Sequence, residues 1–307
     1  MKAMIYEQYG DPDVLQLAER PAPEPAPGEV LVRVRAAAVN PVDWKVLAGY
    51  LDELMPAFFP ATPGWDVAGV VESVGFDTPE FAPGDEVIAY CRKDHVHDGS
   101  FAEYLSVPVR ALARKPRNAS WEQAAGLPLA GLTALQLLKR LDLSAGDAVL
   151  IHAASGGVGA FAAQLAVARG ARVVGTASPV NHEFLRSLGV EPVSYGEGVQ
   201  DRLREVAPEG FSLVADFVGG VLDTTRAVLR PDGRHGSIID DTVESAGGLY
   251  LWTRVSGEEL TDLVDLVDSG HLTVPVAQIY PLEEAAEALR ANQSGHTRGK
   301  IAINVSG

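Results

Sequence analysis

The sequence predicts an α/β fold in which a doubly wound parallel sheet is joined to a β-rich domain of the partly open barrel type. Three features carry this. A continuous apolar run, a glycine-rich turn and an amphipathic stretch succeed one another between Asp147 and Arg169. Strand-like and helix-like segments alternate after that stretch, and short β-like runs separated by Pro and Gly precede it. The β-rich domain is placed at residues 1–123 and 256–307, and the doubly wound domain at residues 124–255.

In chain order, residues 31–35, 67–74 and 86–90 read as strands, with turn signals at Ala26-Pro27-Gly28-Glu29, Pro63-Gly64 and Ala82-Pro83-Gly84-Asp85. The proline-rich residues 21–27 are too few to link domains and read as an extended connection within this one. The texture changes at Ser120, which caps a helix, with Gln123 completing a capping box. Next comes the central unit: a buried strand over 148–152, a turn over 154–159, and a helix with Val158, Phe161, Ala162, Leu165 and Ala166 on one face. Strands over 171–176, 192–195, 212–217, 234–239 and 249–255 then alternate with helices over 181–188, 201–206 and 222–229. Two further helices carry apolar faces (Leu260, Leu263, Val264, Val267; Leu282, Ala285, Ala286, Leu289), and a last strand over 300–305 is expected to return to the first domain.

The turn has the design of a dinucleotide site. Gly156 and Gly157 let the backbone bend sharply and approach a pyrophosphate, Gly159 lets helix and strand pack closely, and free amides at the helix N-terminus face the anion. The position that is usually the first glycine of this fingerprint is Ala154. The preceding strand and succeeding helix supply the context that such a site requires, so Ser155, Gly156, Gly157 and Val158 are read as cofactor contacts.

Composition excludes several classes. With 41 acidic residues against 25 Lys and Arg, the net charge of -16 leaves no clustered cations for a nucleic-acid partner. No apolar stretch is long enough to span a bilayer and Met1–Tyr6 is not a leader, so the chain is read as cytoplasmic with no membrane partner. The single cysteine, Cys91, excludes an internal disulfide and a four-cysteine zinc lobe.

The adenosine end is read from the residues just past the second strand of the doubly wound domain. An NAD-binding chain places Asp or Glu there for the ribose hydroxyls. Here the strand ends Gly175-Thr176-Ala177-Ser178, with no acid. Ser178, Asn181, His182 and Tyr195 offer partners that tolerate a 2'-phosphate, which favours NADPH; the plainer role of Ser178 and Asn181 is to cap the next helix. Cys91, His95, His97 and Asp98 have no closed metal-site spacing and read as a solvated loop, so no metal is expected. His152, at the end of a buried strand, reads as a core histidine. Ser155 lacks the Gly-x-Ser-x-Gly context of a hydrolase nucleophile, and no tyrosine has a lysine four residues later, as a short-chain reductase requires.

These residues, together with Ala37-Ala38-Val39-Asn40-Pro41-Val42-Asp43, Pro63 to Val71, Gly84-Asp85-Glu86-Val87, Gly99 to Tyr104, Leu127 to Leu135 and Thr297-Arg298-Gly299-Lys300, resemble the medium-chain dehydrogenase/reductase superfamily in its zinc-independent quinone oxidoreductase branch. The resemblance covers nearly the whole chain and implies a Rossmann domain with a GroES-like catalytic domain. Zinc enzymes of the family carry a catalytic cysteine where Asn40 stands and a Gly-His-Glu motif where this chain has Gly64-Trp65-Asp66. Both departures remove metal ligands and disfavour alcohol oxidation.

The resemblance implies hydride transfer from NADPH to a quinone or another electron-poor acceptor. The alternative within enzymes is a 2-alkenal or enone double-bond reductase, and the alternative outside them is an NADPH-binding redox module without turnover. By similarity, Asn40 and Thr133 flank the nicotinamide half, Gly157 and Val158 give amides to the pyrophosphate, and Gly219 passes close to the ribose. Tyr50 is the candidate proton donor, solvent being the alternative; a tyrosine of the relatives near this segment is replaced by Lys45. Residues 249–253 form an apolar edge expected to pair across a two-fold axis in a homodimer.

Overall fold

The computed structural model describes residues 1–295 and 297–305. In chain order its strands and helices are β1 (Lys2–Ile5), β2 (Gln16–Glu19), β3 (Glu29–Val39), α1 (Pro41–Leu47), β4 (Asp66–Val74), β5 (Glu86–Tyr90), β6 (Tyr104–Pro108), β7 (Leu112–Arg114), α2 (Trp121–Gly126) and α3 (Pro128–Arg140). Next are β8 (Ala148–His152), α4 (Gly157–Ala168), β9 (Arg172–Ala177), α5 (His182–Ser187), β10 (Glu191–Ser194), α6 (Val199–Val206), β11 (Phe211–Asp216), α7 (Leu222–Val228), β12 (Leu229–Ser237) and β13 (Leu249–Tyr250). The chain ends in α8 (Gly257–Asp268), β14 (Val276–Pro281), α9 (Ala285–Gln293) and β15 (Lys300–Asn304). It divides into two compact units, Met1–Leu132 with Val255–Gly307, and Thr133–Arg254. The expected boundary lay at 123/124. The first unit runs further because α2, opened by the Ser120–Gln123 capping box, packs on β3, β4 and β15.

In the first unit the strand order is β14-β15-β3-β4-β5-β7, with β6 also on β3. The eleven-residue β3 pairs with β6 over Glu29–Arg33 and with β15 over Ala36–Val39, so the sheet curls around it, while β14 and β7 remain as edges. The result is a partly open barrel. Alternate residues of β3, Val30, Val32 and Val34, point inward onto Val67, Val71, Val87, Leu105, Val107 and Leu112. The C-terminal strand does return here, antiparallel to β3.

The second unit is a six-stranded parallel sheet in the order β10-β9-β8-β11-β12-β13, the doubly wound arrangement with its reversal between β8 and β11. The central β8 is buried at all five residues, which is why it reads as an unbroken apolar run rather than an alternating one.

Expected and observed elements of this unit differ mainly at its far edge. A strand over 249–255 was expected, but β13 holds two residues. Leu251 N–H still donates to the Ser237 carbonyl at 3.0 Å, after which the chain leaves the sheet. The Gln136 side chain on α3 then takes both polar groups of Arg254: Gln136 Nε2 donates to its carbonyl and its N–H donates to Gln136 Oε1, each at 2.8 Å. A side-chain amide thus replaces the ladder partner that the apolar pattern implied. Gln136→Leu should lower stability by roughly 2–4 kcal/mol, because two backbone groups lose their partner together; the urea unfolding midpoint checks it.

Candidate active site

At the C-terminal end of β8 the chain makes the glycine-rich turn. The left-handed conformation falls on Ala153 (φ 55°) rather than on a glycine, a strained position held by hydrogen bonds from the Ala153 and Ala154 amides to Thr176. Ala154, which stands where a glycine is usual, is accommodated by the opposite strand: a Cβ on Gly175 of β9 would lie 2.6 Å from the Ala154 methyl. Gly159 packs as predicted, since a Cβ there would fall 2.2 Å from the Ala153 carbonyl oxygen. Gly156 is the N-cap of α4 and has no side chain with which to cap it, and the first turn of the helix carries no acid. The amides of Gly157 and Val158 at its start have no acceptor within the helix, and the turn fits a dinucleotide pyrophosphate.

Around the ends of β9 and β10 the other predicted contacts gather. Asn181 Nδ2 donates to Ser155 Oγ and to Ser178 Oγ, both at 3.2 Å, and neither the Asn181 nor the Ser178 side chain caps its helix. The capping role is thus not the one these side chains fill. His182 Nε2 lies 3.4 Å from Ser194 Oγ, and Tyr195, just past β10, is largely exposed. After β11, Gly219 (φ 80°) turns with its N–H and that of Val218 both donating to Asp216 Oδ1, while Ser237 Oγ donates to Asp216 Oδ2 at 2.8 Å. Thr133 is buried, its hydroxyl 2.7 Å from that of Thr253. His152 is buried with Nδ1 3.3 Å from Thr176 Oγ1 and Nε2 without a partner among the described residues; burial holds its pKa down at about 4. It is a neutral core histidine.

In the first unit the predicted Asn40 lies in a buried charged cluster. Asn40 Nδ2 donates to Asp66 Oδ2 at 2.9 Å, and its N–H donates to Asp43 Oδ2 at 2.7 Å. The Lys300 ammonium donates to Asn40 Oδ1 and to the Val39 carbonyl, and lies 3.5 Å from Asp66 Oδ2; Leu129 N–H donates to Asp66 Oδ1. Burial pushes the Asp66 and Asp43 carboxyls up and the Lys300 ammonium down, and the Lys300–Asp66 attraction opposes both shifts for that pair. Tyr50 is on the surface, 71% exposed, with its ring edge-on to Trp44.

In the loop that holds the histidines, His97 pairs with Asp98, His95 lies edge-on to Phe58, and Cys91 is buried, its thiol pushed up by burial. Among the described residues no three His, Cys, Asp or Glu side chains gather as a metal set, and no helix is long and apolar enough to cross a membrane.

Sequence reasoning assigned no role to Asp43, Asp66, Asp216, Ser237 or Lys300. The signal for Lys300 was present in Thr297-Arg298-Gly299-Lys300, but nothing local tells a buried lysine from a surface one.

Comparison with known proteins agrees with this architecture. Residues 26–117 match the alcohol dehydrogenase GroES-like domain and residues 188–303 the zinc-binding dehydrogenase domain. The chloroplast envelope quinone oxidoreductase homolog of Arabidopsis thaliana is 32% identical over 99% of this chain and 98% of its own length. The chloroplastic NADPH-dependent alkenal/one oxidoreductase of the same plant is 35% identical over 99% of this chain and 79% of its own. The quinone oxidoreductase from Coxiella burnetii superposes with a TM-score of 0.90 at 34% identity, covering 100% of this chain and 99% of that one. The fold and the glycine turn define a pyridine-nucleotide-dependent oxidoreductase. The chain belongs to the medium-chain dehydrogenase/reductase superfamily, where its relatives include quinone oxidoreductases.

Lys300→Met leaves Asp66 buried without its cation and should cost about 3–5 kcal/mol, read as a shift in the urea midpoint. Below pH 6.5 the unfolded chain takes up a proton on His152 that the folded chain accepts only near pH 4. Stability therefore falls as the pH drops through this window, by up to about 3 kcal/mol from this residue. Denaturant titrations at pH 7 and pH 4.5 should show a smaller acid loss in His152→Gln than in the parent.

Proposed function

We propose that the chain is a zinc-independent, NADPH-dependent reductase that delivers a hydride to a quinone or another electron-poor small-molecule acceptor. The observation that carries this reading is the Asn40–Asp66–Lys300 cluster. The positions that bear a cysteine and a histidine–glutamate pair in zinc enzymes of the family here hold Asn40 and Trp65-Asp66, and the polar atoms of Asn40 and Asp66 are bound to one another and to a lysine ammonium. A carboxamide and one carboxylate already paired with a buried cation do not form a zinc site. Without a Lewis acid to hold an alkoxide, reduction of an acceptor that is already electron-poor is the favoured direction of chemistry.

NADPH supplies the hydride; the chain supplies binding, orientation and exclusion of water. In this reading Gly157 and Val158 donate amides to the pyrophosphate and Ser155 lines the turn. Ser178, Asn181, His182 and Tyr195 face the adenosine 2'-phosphate, and Gly219 lies by the ribose. Thr133 meets the nicotinamide half, Asn40 is a positioning residue fixed through Lys300, and Tyr50 or solvent returns the proton. The relative named an alkenal/one oxidoreductase supports a second reading, reduction of an activated alkene by the same hydride. A homodimer built on the β13 edge of the sheet accounts for the half-exposed Trp252 beside it.

Loss of NADPH absorbance with a benzoquinone, a naphthoquinone and a 2-alkenal, repeated with NADH and with a chelator, tests the reading. The expected result is turnover with quinones, weaker turnover with NADH and no effect of chelation. Binding of NADPH without oxidation by any acceptor would instead identify a redox-responsive binding module. Tyr50→Phe should lower kcat by about tenfold or more if the phenol returns the proton, and leave it unchanged if solvent does.

A further inference from the structure

The residues read as facing the 2'-phosphate share one deficiency. Ser178 and Tyr195 offer hydroxyls, Asn181 an amide and His182 an imidazole, so none carries a permanent positive charge, in a chain whose net charge is -16. A phosphate dianion drawn into such a site needs a local cation.

One stands beside them. The C-terminal ends of β8, β9 and β10 lie side by side in parallel, so the loops that leave these strands gather at one end of the sheet. A run of hydrogen bonds tracks that end, from Ser155 to Asn181 to Ser178 and, alongside it, from His182 to Ser194. Arg202, on α6, reaches back to the same Ser194: its Nε and Nη2 donate to the Ser194 carbonyl at 3.1 and 2.9 Å, and Nη2 also reaches the Tyr195 carbonyl at 3.4 Å. Those bonds orient one edge of the guanidinium. Among the described residues its Nη1 has no hydrogen-bond partner and no carboxylate pairs with it, whereas Arg204 on the same helix is paired with Asp201. Gly198 (φ 72°) adjoins that atom; a Cβ there would come within 3.2 Å of Nη1, so the glycine keeps the edge open.

We propose that Arg202 is the cationic contact for the adenosine 2'-phosphate, and hence a residue that makes the chain prefer NADPH to NADH. This rests on the proposed use of NADPH. The planar donors of Arg202 suit phosphate oxygens, and its fixed edge means that little side-chain freedom is lost on binding. The carbonyl fork on Ser194 and Tyr195 also couples it to the strand end that presents Tyr195, so one residue charges the site and holds its rim.

Calorimetric titration of the full chain with NADPH, NADH, 2',5'-ADP and 5'-AMP tests this directly, since the last two differ by the 2'-phosphate alone. Arg202→Gln is expected to weaken NADPH and 2',5'-ADP binding by about tenfold or more, and to change NADH and 5'-AMP binding by less than about twofold. Arg202→Lys, which keeps the charge without the fork, is expected to retain part of the preference, and thermal unfolding of both variants checks that they fold. Equal losses for phosphorylated and unphosphorylated ligands, or no loss at all, would overturn the assignment and leave Arg202 as a cap on β10. A parent chain that binds 2',5'-ADP no better than 5'-AMP would instead overturn the use of NADPH itself, and this inference with it.

Discussion

The buried ammonium of Lys300 is the contact from which the first unit is closed. It joins the last strand, β15, to the end of β3 and, through Asp66, to the start of β4, residues more than two hundred positions apart in the chain. The same Asp66 accepts from the Leu129 amide near the start of α3. Four segments thus meet on one pair of opposite charges taken out of water. Such a pair adds little over a well-packed apolar alternative, yet loss of either partner leaves a bare charge in the interior. That asymmetry makes the cluster a device for fixing one arrangement rather than a source of large net stability. It also holds Asn40, whose amide is bonded at both ends and so has one orientation.

The second unit solves a different problem, bringing backbone amides close to an anion without side chains in the way. The usual solution is three glycines, and this chain has two of them with Ala154 in the first place. The methyl is admitted because β9 presents Gly175 opposite it, so the missing glycine has moved to the neighbouring strand. Strain falls on Ala153, whose left-handed backbone is fixed by Thr176 on the same β9. The turn is therefore shaped by two strands together, and its fingerprint cannot be judged from one of them.

Much of this architecture could be read directly because it rests on local periodicity. The β8 to α4 unit, the Ser120–Gln123 capping box and the alternation of strands and helices all depend on residues a few positions apart, where spacing reports the face each side chain occupies. The cluster around Lys300 could not be read this way, since a lysine at the start of a strand has the same local signature whether it reaches solvent or an aspartate brought in by the fold. The short β13 was missed for a related reason. Its apolar run favours a strand, but Gln136 on α3 competes for the same backbone groups, and a hydrogen bond between residues far apart in sequence leaves no trace in the pattern.

The acidic composition sharpens what the site has to do. A surface with many more carboxylates than cations repels an anionic cofactor at long range, and salt screens that field over about 10 Å. Binding must then come from short-range donors held in place before the cofactor arrives. In the proposed reading the amides at the start of α4 supply this for the pyrophosphate through dipoles that carry no net charge. Of the residues proposed for the adenosine end, all but Arg202 are neutral donors or an imidazole. In the proposed reading two kinds of anion site sit at one end of the sheet, one made of backbone and one of side chains, and only the second distinguishes cofactors that share a pyrophosphate.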